Sequence, residues 1–197
     1  MHDLDDLARA EELLRRELRA ENIDGILTAA AELDRIPQPA RRASVLGAAL
    51  WYAEHGLPVF PLTPGSKVPY PRSHGLGDAT TVEARVRAMF ADRPTANLAI
   101  ATGVLVDVID FDGPEAHAAW GLRWPTWDDA GITPLATVST PRPGGLHVYV
   151  AATGGGNRAG MVPGVDYRGL GGYVVVPPSV TPAGTYDFLQ PLPEVLP

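Results

Sequence analysis

The sequence predicts an α+β fold with a mixed sheet. Helical segments alternate with apolar, strand-like segments in the first part of the chain, and strand-like segments joined by Gly- and Pro-containing turns follow one another in the second. The later segments are rich in β-branched and aromatic residues, as strands are. With 197 residues, the chain is long enough for one well-buried domain and too short for two large ones.

Three helices are predicted at the start of the chain. Leucines recur at helical spacing between charged residues over 3–21, and a second, short helix fits 24–33 with Asp24 as a candidate N-cap. The stretch "IPQP" then interrupts the pattern and is typical of a linker. A third helix is predicted over 40–56, where Gly56 is suited to end it in the left-handed conformation.

Short strands and two more helices are predicted from residue 57 onward, where Gly and Pro punctuate the apolar runs. In chain order, the predicted elements are a strand at 57–62, a long loop at 63–80, a helix over 81–92 that Thr80 or Thr81 N-caps, strands at 97–103 and 104–112, a helix over 113–124, and strands at 135–140, 146–152 and 171–179.

Composition and charge exclude several classes of protein. A net charge of −7 argues against a general nucleic-acid coat held by a broad basic surface, although residues 139–181 are locally positive. No apolar run approaches the roughly 20 residues that span a bilayer, and the acidic N-terminus does not resemble a signal peptide. Without cysteine, neither disulfides nor a thiolate zinc site can form. We therefore expect a cytoplasmic protein with no membrane partner and no zinc.

Three carboxylates fall in the stretch "DVIDFDG", where a predicted buried strand ends in a glycine turn. Side chains two residues apart in a strand point the same way, so Asp110 and Asp112 share a face and Asp107 points to the other. Two ionised carboxylates on one face repel each other unless a cation lies between them, and Mg²⁺ prefers such oxygen ligands. The residues alone leave two interpretations open: a metal site at Asp110 and Asp112, or a solvated strand end with two surface acids.

Three further stretches carry candidate functional residues. In "STPRPGGLHVYV", Arg142 lies in a turn and His147 at the start of a strand, where a histidine is either structural or binds phosphate, transfers protons or ligates a metal. In "VDYRGLGGYVVVPPS", Asp166 and Arg168 share a face, as a simple ion pair would, and the Gly-Gly pair allows a backbone or ligand to approach closely. Lys67, the single lysine, lies in the loop "GSKVP", where a solvated surface lysine is the alternative to a functional one.

Together, these motifs resemble a known family. The stretches "GLPVFPLTPGSKVP", "ATGVLVDVIDFDG", "TPRPGGLHVYV" and "GVDYRGLGGYVVVPPSV" are similar to successive motifs of the bifunctional DNA primase/polymerase domain. This domain belongs to the archaeo-eukaryotic primase superfamily and occurs in plasmid, phage and prophage replication proteins. The resemblance runs from about residue 44 to about residue 189, and the combination of DxD, GGxH, Asp-x-Arg and GGYxxxPPS is specific.

The resemblance implies an RRM-like palm joined to a smaller αβ unit, with the catalytic groups in the cleft between them. The boundaries predicted on this basis are a helical N-terminal appendage at 1–38 and a primase/polymerase catalytic domain at 44–190. The appendage is either a partner-binding arm or a helical hairpin packed on the body.

The resemblance also implies roles for individual residues. Asp110, Asp112 and Asp166 match the family's acids, which would hold two Mg²⁺ or Mn²⁺ ions, and His147 matches the histidine that holds the triphosphate of the incoming nucleotide. These four residues are the predicted catalytic set. Further phosphate contacts are predicted at Lys67, Arg142 and Arg168.

The implied function is template-dependent nucleotidyl transfer, in which a 3′-hydroxyl attacks the α-phosphate of a nucleoside triphosphate and pyrophosphate leaves. The implied partners are a single-stranded DNA template with its primer, and nucleoside triphosphates. Some relatives carry a zinc-binding stem that assists initiation, and a chain without cysteine lacks it. Primer extension is therefore predicted, whereas priming from scratch is left open. Relatives often continue into a helicase domain, whereas this sequence ends at "PLPEVLP". Any replicative helicase is therefore expected to be a separate protein.

Two alternatives remain open at this point. The first is a catalytically silent module that binds a replication origin or the replisome and keeps the fold, although retention of all four predicted catalytic residues argues against it. The second is a metal-dependent nuclease or phosphohydrolase that uses the same carboxylates on water. A polymerase lengthens a primer only with triphosphates, a nuclease shortens it without them, and a silent module does neither.

Overall fold

The computed structural model describes residues 44–197 together with Arg9, Glu12, Leu13 and Arg16. Apart from those four residues, the helices predicted over 3–21 and 24–33, and with them the appendage at 1–38, lie outside the described residues. In the part that is described, a few helices accompany antiparallel sheets, which confirms the α+β class.

Short helices flank the sheets in the described part of the chain. They are α1 (Val45–Glu54), a 3-10 helix (Gly75–Asp78), α2 (Glu83–Phe90) and α3 (Pro114–Arg123). Helix α1 begins at Ser44, whose hydroxyl accepts a hydrogen bond from the Gly47 N–H, and it ends as predicted before Gly56, which has a φ of 77°. No helix among the described residues has the length and apolar character needed to cross a membrane.

The predicted N-cap of α2 is wrong. The cap position belongs to Val82, whose side chain cannot accept a hydrogen bond, and not to Thr80 or Thr81. Thr80 lies too early in the chain, because its backbone exchanges hydrogen bonds with Val59 at the start of the first strand. The Thr80 hydroxyl instead accepts a hydrogen bond from the Val82 N–H, 3.1 Å away, and so stabilises the turn that leads into the helix.

The strands are short, and those after residue 150 are more numerous than predicted. In chain order they are β1 (Val59–Leu62), β2 (Asn97–Ala101), β3 (Val106–Asp112), β4 (Ala136–Ser139), β5 (Gly145–Ala151), β6 (Arg158–Val162), β7 (Val165–Arg168), β8 (Tyr173–Val176), β9 (Val180–Thr181), β10 (Gly184–Thr185) and β11 (Asp187–Gln190). The sequence did not predict β6, β7, β9, β10 or β11.

Two principal sheets build the molecule. The larger has six strands in the order β11-β4-β5-β3-β7-β6, so that β3 lies at its centre between β5 and β7. The smaller has the order β1-β2-β8 and packs with α1 and α2, while β9 and β10 form a separate two-stranded ladder. Helix α3 connects β3 to β4, and β5 lies between these two strands in the sheet.

The prediction of a mixed sheet is wrong, because every pairing between these strands is antiparallel. The alternation of strands and helices had suggested parallel pairing, and β1 and β2, which helix α2 connects, show why it is absent. The loop after β1 folds back until Thr80 pairs with Val59, so the chain is again at the start of β1 when α2 begins. Helix α2 then carries it to the far end, and β2 returns with Asn97 opposite Leu62.

The two faces of the six-stranded sheet pack against different partners. Along β3, Val106 and Val108 belong to the main core, which α1, α2 and the three-stranded sheet complete. Ile109 and Phe111 belong to a second core beneath α3. Since side chains alternate along a strand, Asp110 continues the face of Val106 and Val108 and lies where the main core ends.

Candidate active site

A cleft of about 470 Å³ opens where the main core ends at Asp110. Six of the seven predicted site residues line it: Lys67, Asp110, Asp112, Arg142, His147 and Arg168. The seventh, Asp166, does not line the cleft itself but lies directly opposite Asp110 on the neighbouring strand. Residues that are 101 positions apart in the sequence thus meet on one face of the fold.

The register of the central strands sets this arrangement. Asp110 on β3 pairs with His147 on β5 to one side and with Asp166 on β7 to the other. Directly opposed residues of antiparallel strands project from the same face, with Cβ atoms about 4.5–5.5 Å apart. As predicted, Asp110 and Asp112 share the cleft face.

Asp107 points to the opposite face, as predicted, and is fully buried there. Its Oδ2 accepts hydrogen bonds from the backbone N–H and the hydroxyl of Thr153 and from the hydroxyl of Tyr167. These bonds tie β3 to β7 and to the loop after β5. Asp107 therefore supports the sheet from behind and does not reach the cleft.

Arginines neutralise the carboxylates of the cleft. The Nη2 of Arg168 lies 2.8 Å from Asp166 Oδ2 and 3.4 Å from Asp110 Oδ2, so a single guanidinium bridges the two acids. The Nη1 of Arg142 lies 2.7 Å from Asp112 Oδ1. Asp166 also accepts a hydrogen bond from the Gly160 N–H of the adjacent hairpin. The predicted Asp166–Arg168 ion pair is therefore present, and it extends to Asp110.

His147 is buried beside these charges. Its Nε2 lies 3.5 Å from Asp110 Oδ1, and its Nδ1 is buried without a hydrogen-bond partner. Burial lowers the pKa of His147 to about 4 and outweighs the opposite effect of the nearby Asp110 carboxylate. The imidazole is consequently neutral at pH 7 and can donate one N–H to an anionic group.

Three polar side chains of the lining were missed by the sequence analysis: Asn157, Tyr173 and Tyr186. The Nζ of Lys67 lies 5.8 Å from the centroid of the Tyr186 ring, which in turn lies 5.8 Å from the ring of His147. The hydroxyl of Tyr173 donates to the backbone carbonyl of Lys67 at 3.1 Å. The two tyrosines thus hold the Lys67 loop against the cleft.

Tyr173 follows directly on the glycine pair of a motif that the sequence had singled out, so its position could have been inferred. Tyr186 had no comparable signal, since it stands between two very short strands. Burial raises the pKa of Tyr186, against the opposing effect of Lys67, so its hydroxyl stays protonated at neutral pH.

Only one member of the glycine pair allows the predicted close approach, because Gly171 has open space around it, whereas a Cβ on Gly172 would lie 2.3 Å from Asn157 Oδ1. Outside the pair, a Cβ on Gly169 would lie 2.2 Å from the Gly155 carbonyl oxygen. Asn157 Oδ1 accepts a hydrogen bond from the Gly169 N–H. The loop between β5 and β6 can therefore pack against the start of β8 only because side chains are absent at these positions.

The carboxylates predicted to bind metal are the same ones that the arginines contact. No group of three or more acidic or histidine side chains within residues 44–197 is placed to hold a metal ion. Arg168 lies between Asp110 and Asp166, and Arg142 engages Asp112. The donor chemistry still fits a hard divalent cation, since Asp110 and Asp112 line the polar cleft and Asp166 lies opposite Asp110 on the neighbouring strand. Such a cation would compete with the arginines for the same oxygens.

Carboxylates, arginines and a buried histidine around one cleft of an α+β protein suit chemistry on phosphate groups. Comparison with protein families identifies the class: the model of the family "bifunctional DNA primase/polymerase, N-terminal" matches residues 49–197. The chain belongs to this family, which confirms the resemblance stated from its motifs. No match was found among curated proteins. At the level of the family, the activity is that of a DNA primase or polymerase, with DNA and nucleotides as substrates.

Proposed function

We propose that the protein is a template-dependent nucleotidyltransferase that extends a primer at the cleft around Asp110. A 3′-hydroxyl attacks the α-phosphate of a nucleoside triphosphate, a new phosphodiester bond forms, and pyrophosphate leaves. The observation that carries the proposal is the register of the central strands, which sets Asp110 between Asp166 and His147. Acids for the reacting centre and a donor for the phosphates are thereby adjacent.

Asp110, Asp112 and Asp166 are the residues that would hold two Mg²⁺ or Mn²⁺ ions. When bound, such ions stabilise the negative charge that develops on the attacking and leaving oxygens. Carboxylates are suitable ligands for such ions, but Arg168 and Arg142 have to release the three carboxylates first. Both arginines are more than a third exposed, with side-chain exposures of 37% and 57%, so they can turn away without disturbing the core.

The cations of the cleft would then bind the triphosphate. Four groups that can bind phosphate line the same cavity: the guanidinium groups of Arg168 and Arg142 once the carboxylates release them, Lys67, and His147. The two tyrosines hold the loop that carries Lys67. A guanidinium binds phosphate through paired hydrogen bonds, and positioning of this kind contributes most of the catalysis in phosphoryl chemistry. Binding of the anion beside His147 would also favour its protonated form.

The topology supports the RRM-like palm as part of this proposal. Strands β3, β4 and β5 with helix α3 form a split β-α-β unit, and β7 completes the sheet on the other side of β3. The three-stranded sheet with α1 and α2 would be the smaller αβ unit, and both would lie within the domain proposed at 44–190. We place the protein in the cytoplasm, in a phage, prophage or plasmid-type replication system with a separate helicase.

The proposal is tested by a gel assay with purified protein, single-stranded template, labelled primer and Mg²⁺ or Mn²⁺. Lanes with and without nucleoside triphosphates, and with and without primer, separate the outcomes. Primer that lengthens only with triphosphates supports the proposal, and product without primer adds priming from scratch. Shortening of the primer without triphosphates would identify a nuclease, whereas an unchanged primer in every lane would favour a silent DNA-binding module.

A further inference from the structure

A second cavity of about 300 Å³ lies on the smaller unit, apart from the residues of the catalytic cleft. The loop after β1 and helix α2 enclose it, and β1 forms its base. Its lining includes Phe60, Tyr70, Arg85, Met89 and Arg93. Nothing in the proposed transfer reaction uses this cavity.

An arginine stacked on a tyrosine forms one wall. The guanidinium carbon of Arg93 lies 5.0 Å from the centroid of the Tyr70 ring, and the Arg93 Nη1 donates to the backbone carbonyl of Met89. Both side chains are half-buried, so each keeps part of its surface open to solvent. This pair holds an aromatic and a guanidinium plane in place, and both are surfaces on which a nucleobase stacks.

The surroundings are basic in a chain that is acidic overall. Residues 67–93 carry five basic residues against three acidic ones, whereas the whole chain has a net charge of −7. Within residues 44–197, Arg72, Arg85 and Arg93 have no carboxylate at salt-bridge distance, and Arg72 and Arg85 are exposed.

One carboxylate does line the cavity, and it is already engaged. Asp78 accepts hydrogen bonds from the backbone N–H and the ring of His74, and these bonds lower the pKa of its carboxyl group. Glu83, at the start of α2, is likewise held by Arg87 at 2.7 Å. The charge of Arg85 also lowers the pKa of Asp78, but no carboxylate within residues 44–197 lies at salt-bridge distance from the three arginines, so they can bind an anionic partner.

The cavity adjoins the catalytic cleft through one loop. Lys67 lines the cleft and Tyr70, three residues later, lines the cavity, so their Cα atoms are at most about 11 Å apart. Tyr173 of the cleft binds the Lys67 carbonyl, and its ring lies 5.2 Å from that of Phe60, at the base of the cavity. At about 3.4 Å per nucleotide along one strand, only a few nucleotides separate the two sites.

We propose that this cavity and the adjoining arginines form a binding site for single-stranded DNA outside the catalytic cleft, and that the template strand occupies it. A base stacks on the Tyr70–Arg93 pair, while Arg72 and Arg85 contact the phosphates. Stacking on an aromatic ring together with a few cationic contacts is how single strands are bound without sequence preference. The identity of the strand as template rests on the proposed function, whereas the binding itself does not.

The test is fluorescence anisotropy of a labelled oligothymidylate titrated with the full chain, without nucleotide or metal. Tyr70→Ala is expected to weaken binding by about 5- to 100-fold, and Tyr70→Phe, which keeps the ring, to bind like the unmodified protein. Arg85→Ala, at an exposed position of α2, is expected to reduce the slope of log Kd against log salt by about 0.7. A duplex of equal length is expected to bind more weakly than the single strand.

Arg123→Ala is the matched control, because Arg123 forms the same kind of pair with Trp124, 5.2 Å away, on helix α3. Equal affinities for Tyr70→Ala, Arg85→Ala and Arg123→Ala would overturn the proposal, as would absence of single-strand binding by the unmodified protein. Asp110→Asn separates this result from the proposed function. It is expected to bind the oligonucleotide normally and to fail in extension, so loss of one property does not imply loss of the other.

Discussion

Asp110 and Asp166 lie directly opposite each other on β3 and β7, and the guanidinium of Arg168 bridges their carboxylates. Two adjacent carboxylates repel each other unless a cation lies between them, and here Arg168 is that cation. On the proposed function, a divalent metal would bind the same oxygens, so arginine and metal would be alternatives, and metal binding would free a guanidinium to contact the triphosphate.

Removal of Arg168 therefore has an effect that depends on metal. Arg168→Ala is expected to lower the melting temperature in chelator by about 2–4 °C, corresponding to about 1 kcal/mol for a partly exposed ion pair. Mg²⁺ is expected to recover most of that loss, because it replaces the missing cation. Thermal unfolding with and without Mg²⁺ measures both effects.

The control for this prediction is Arg158→Ala, since Arg158 is exposed on β6 and pairs with no carboxylate among the described residues. Mg²⁺ is expected to change its melting temperature as it does that of the unmodified protein. An equal response of Arg168→Ala and Arg158→Ala to Mg²⁺ would contradict the competition between arginine and metal.

His147→Ala is expected to weaken binding of a non-hydrolysable nucleoside triphosphate by about 10- to 100-fold, the usual effect of losing a hydrogen bond to a charged group. The reason is that the imidazole has hydrogen-bonding capacity to spare: its Nδ1 has no hydrogen-bond partner, and its Nε2 lies 3.5 Å from Asp110 Oδ1. We therefore expect it to donate to a phosphate in the cleft. Titration calorimetry measures the affinity. His74→Ala, at a position whose side chain is 86% exposed, serves as the control, and equal affinities would remove His147 from the nucleotide site.

Lys67 offers a direct footprint because the chain contains no other lysine and no cysteine. A nucleoside triphosphate at ten times its Kd is expected to slow acetylation of Lys67 about tenfold, since only about a tenth of the sites stay free. Peptide mass spectrometry reads the modification and distinguishes it from the N-terminal amine. Labelling at the same rate with and without nucleotide would contradict the assignment of Lys67 to the triphosphate.

Two glycines are predicted to respond in opposite directions to alanine. Gly103 has a φ of 83°, and a Cβ there would lie 2.2 Å from Leu170 Cα, so Gly103→Ala is expected to destabilise the fold by about 2 kcal/mol or more. Gly121 lies exposed in α3 with open space around it, and Gly121→Ala is expected to stabilise by about 0.5–1 kcal/mol. Denaturant unfolding measures both, and a shift of the same sign in the two variants would contradict the packing described here.

Much of the cleft could be predicted from the sequence, partly from local periodicity and partly from the resemblance to the family's motifs, which assigned His147 and Asp166 to one site. Alternation along β3 alone separates Asp107 from Asp110 and Asp112, and the structure shows that separation. The same rule places Asp166 and Arg168 together. What periodicity cannot supply is register between distant strands. That Asp110 faces both His147 and Asp166 depends on pairings across 37 and 56 residues, which no local pattern encodes.

The elements that were missed have weak local signals for a physical reason. Strand β6 is "RAGMV" in a glycine-rich stretch, and its β-bulged pairing with β7 rests on hydrogen bonds made by the backbone and by Asp166. The direction of β2 was likewise not predictable, since it depends on a loop that returns to Val59 before α2 begins. Tyr186 enters the cleft through tertiary packing between short strands.

The central claim is that Asp110 and its partner acid support nucleotidyl transfer, and one measurement tests it most directly. Single-nucleotide extension of a labelled primer on a single-stranded template is followed for the unmodified protein, Asp110→Asn, Asp166→Asn and Asp187→Asn, with Mg²⁺ and with Mn²⁺. Asp187 is an exposed acid of β11 whose side chain accepts a hydrogen bond from the Thr185 hydroxyl and lies outside the cleft lining, so it serves as the control.

We predict that the first two variants lose at least about 100-fold in rate with both metals, while their melting temperatures stay within about 2–4 °C of that of the control, as expected for loss of a partly exposed ion pair. The unmodified protein and Asp187→Asn are predicted to extend the primer equally. Full activity of Asp110→Asn or Asp166→Asn would contradict the site, and no extension by the unmodified protein would contradict the proposed reaction.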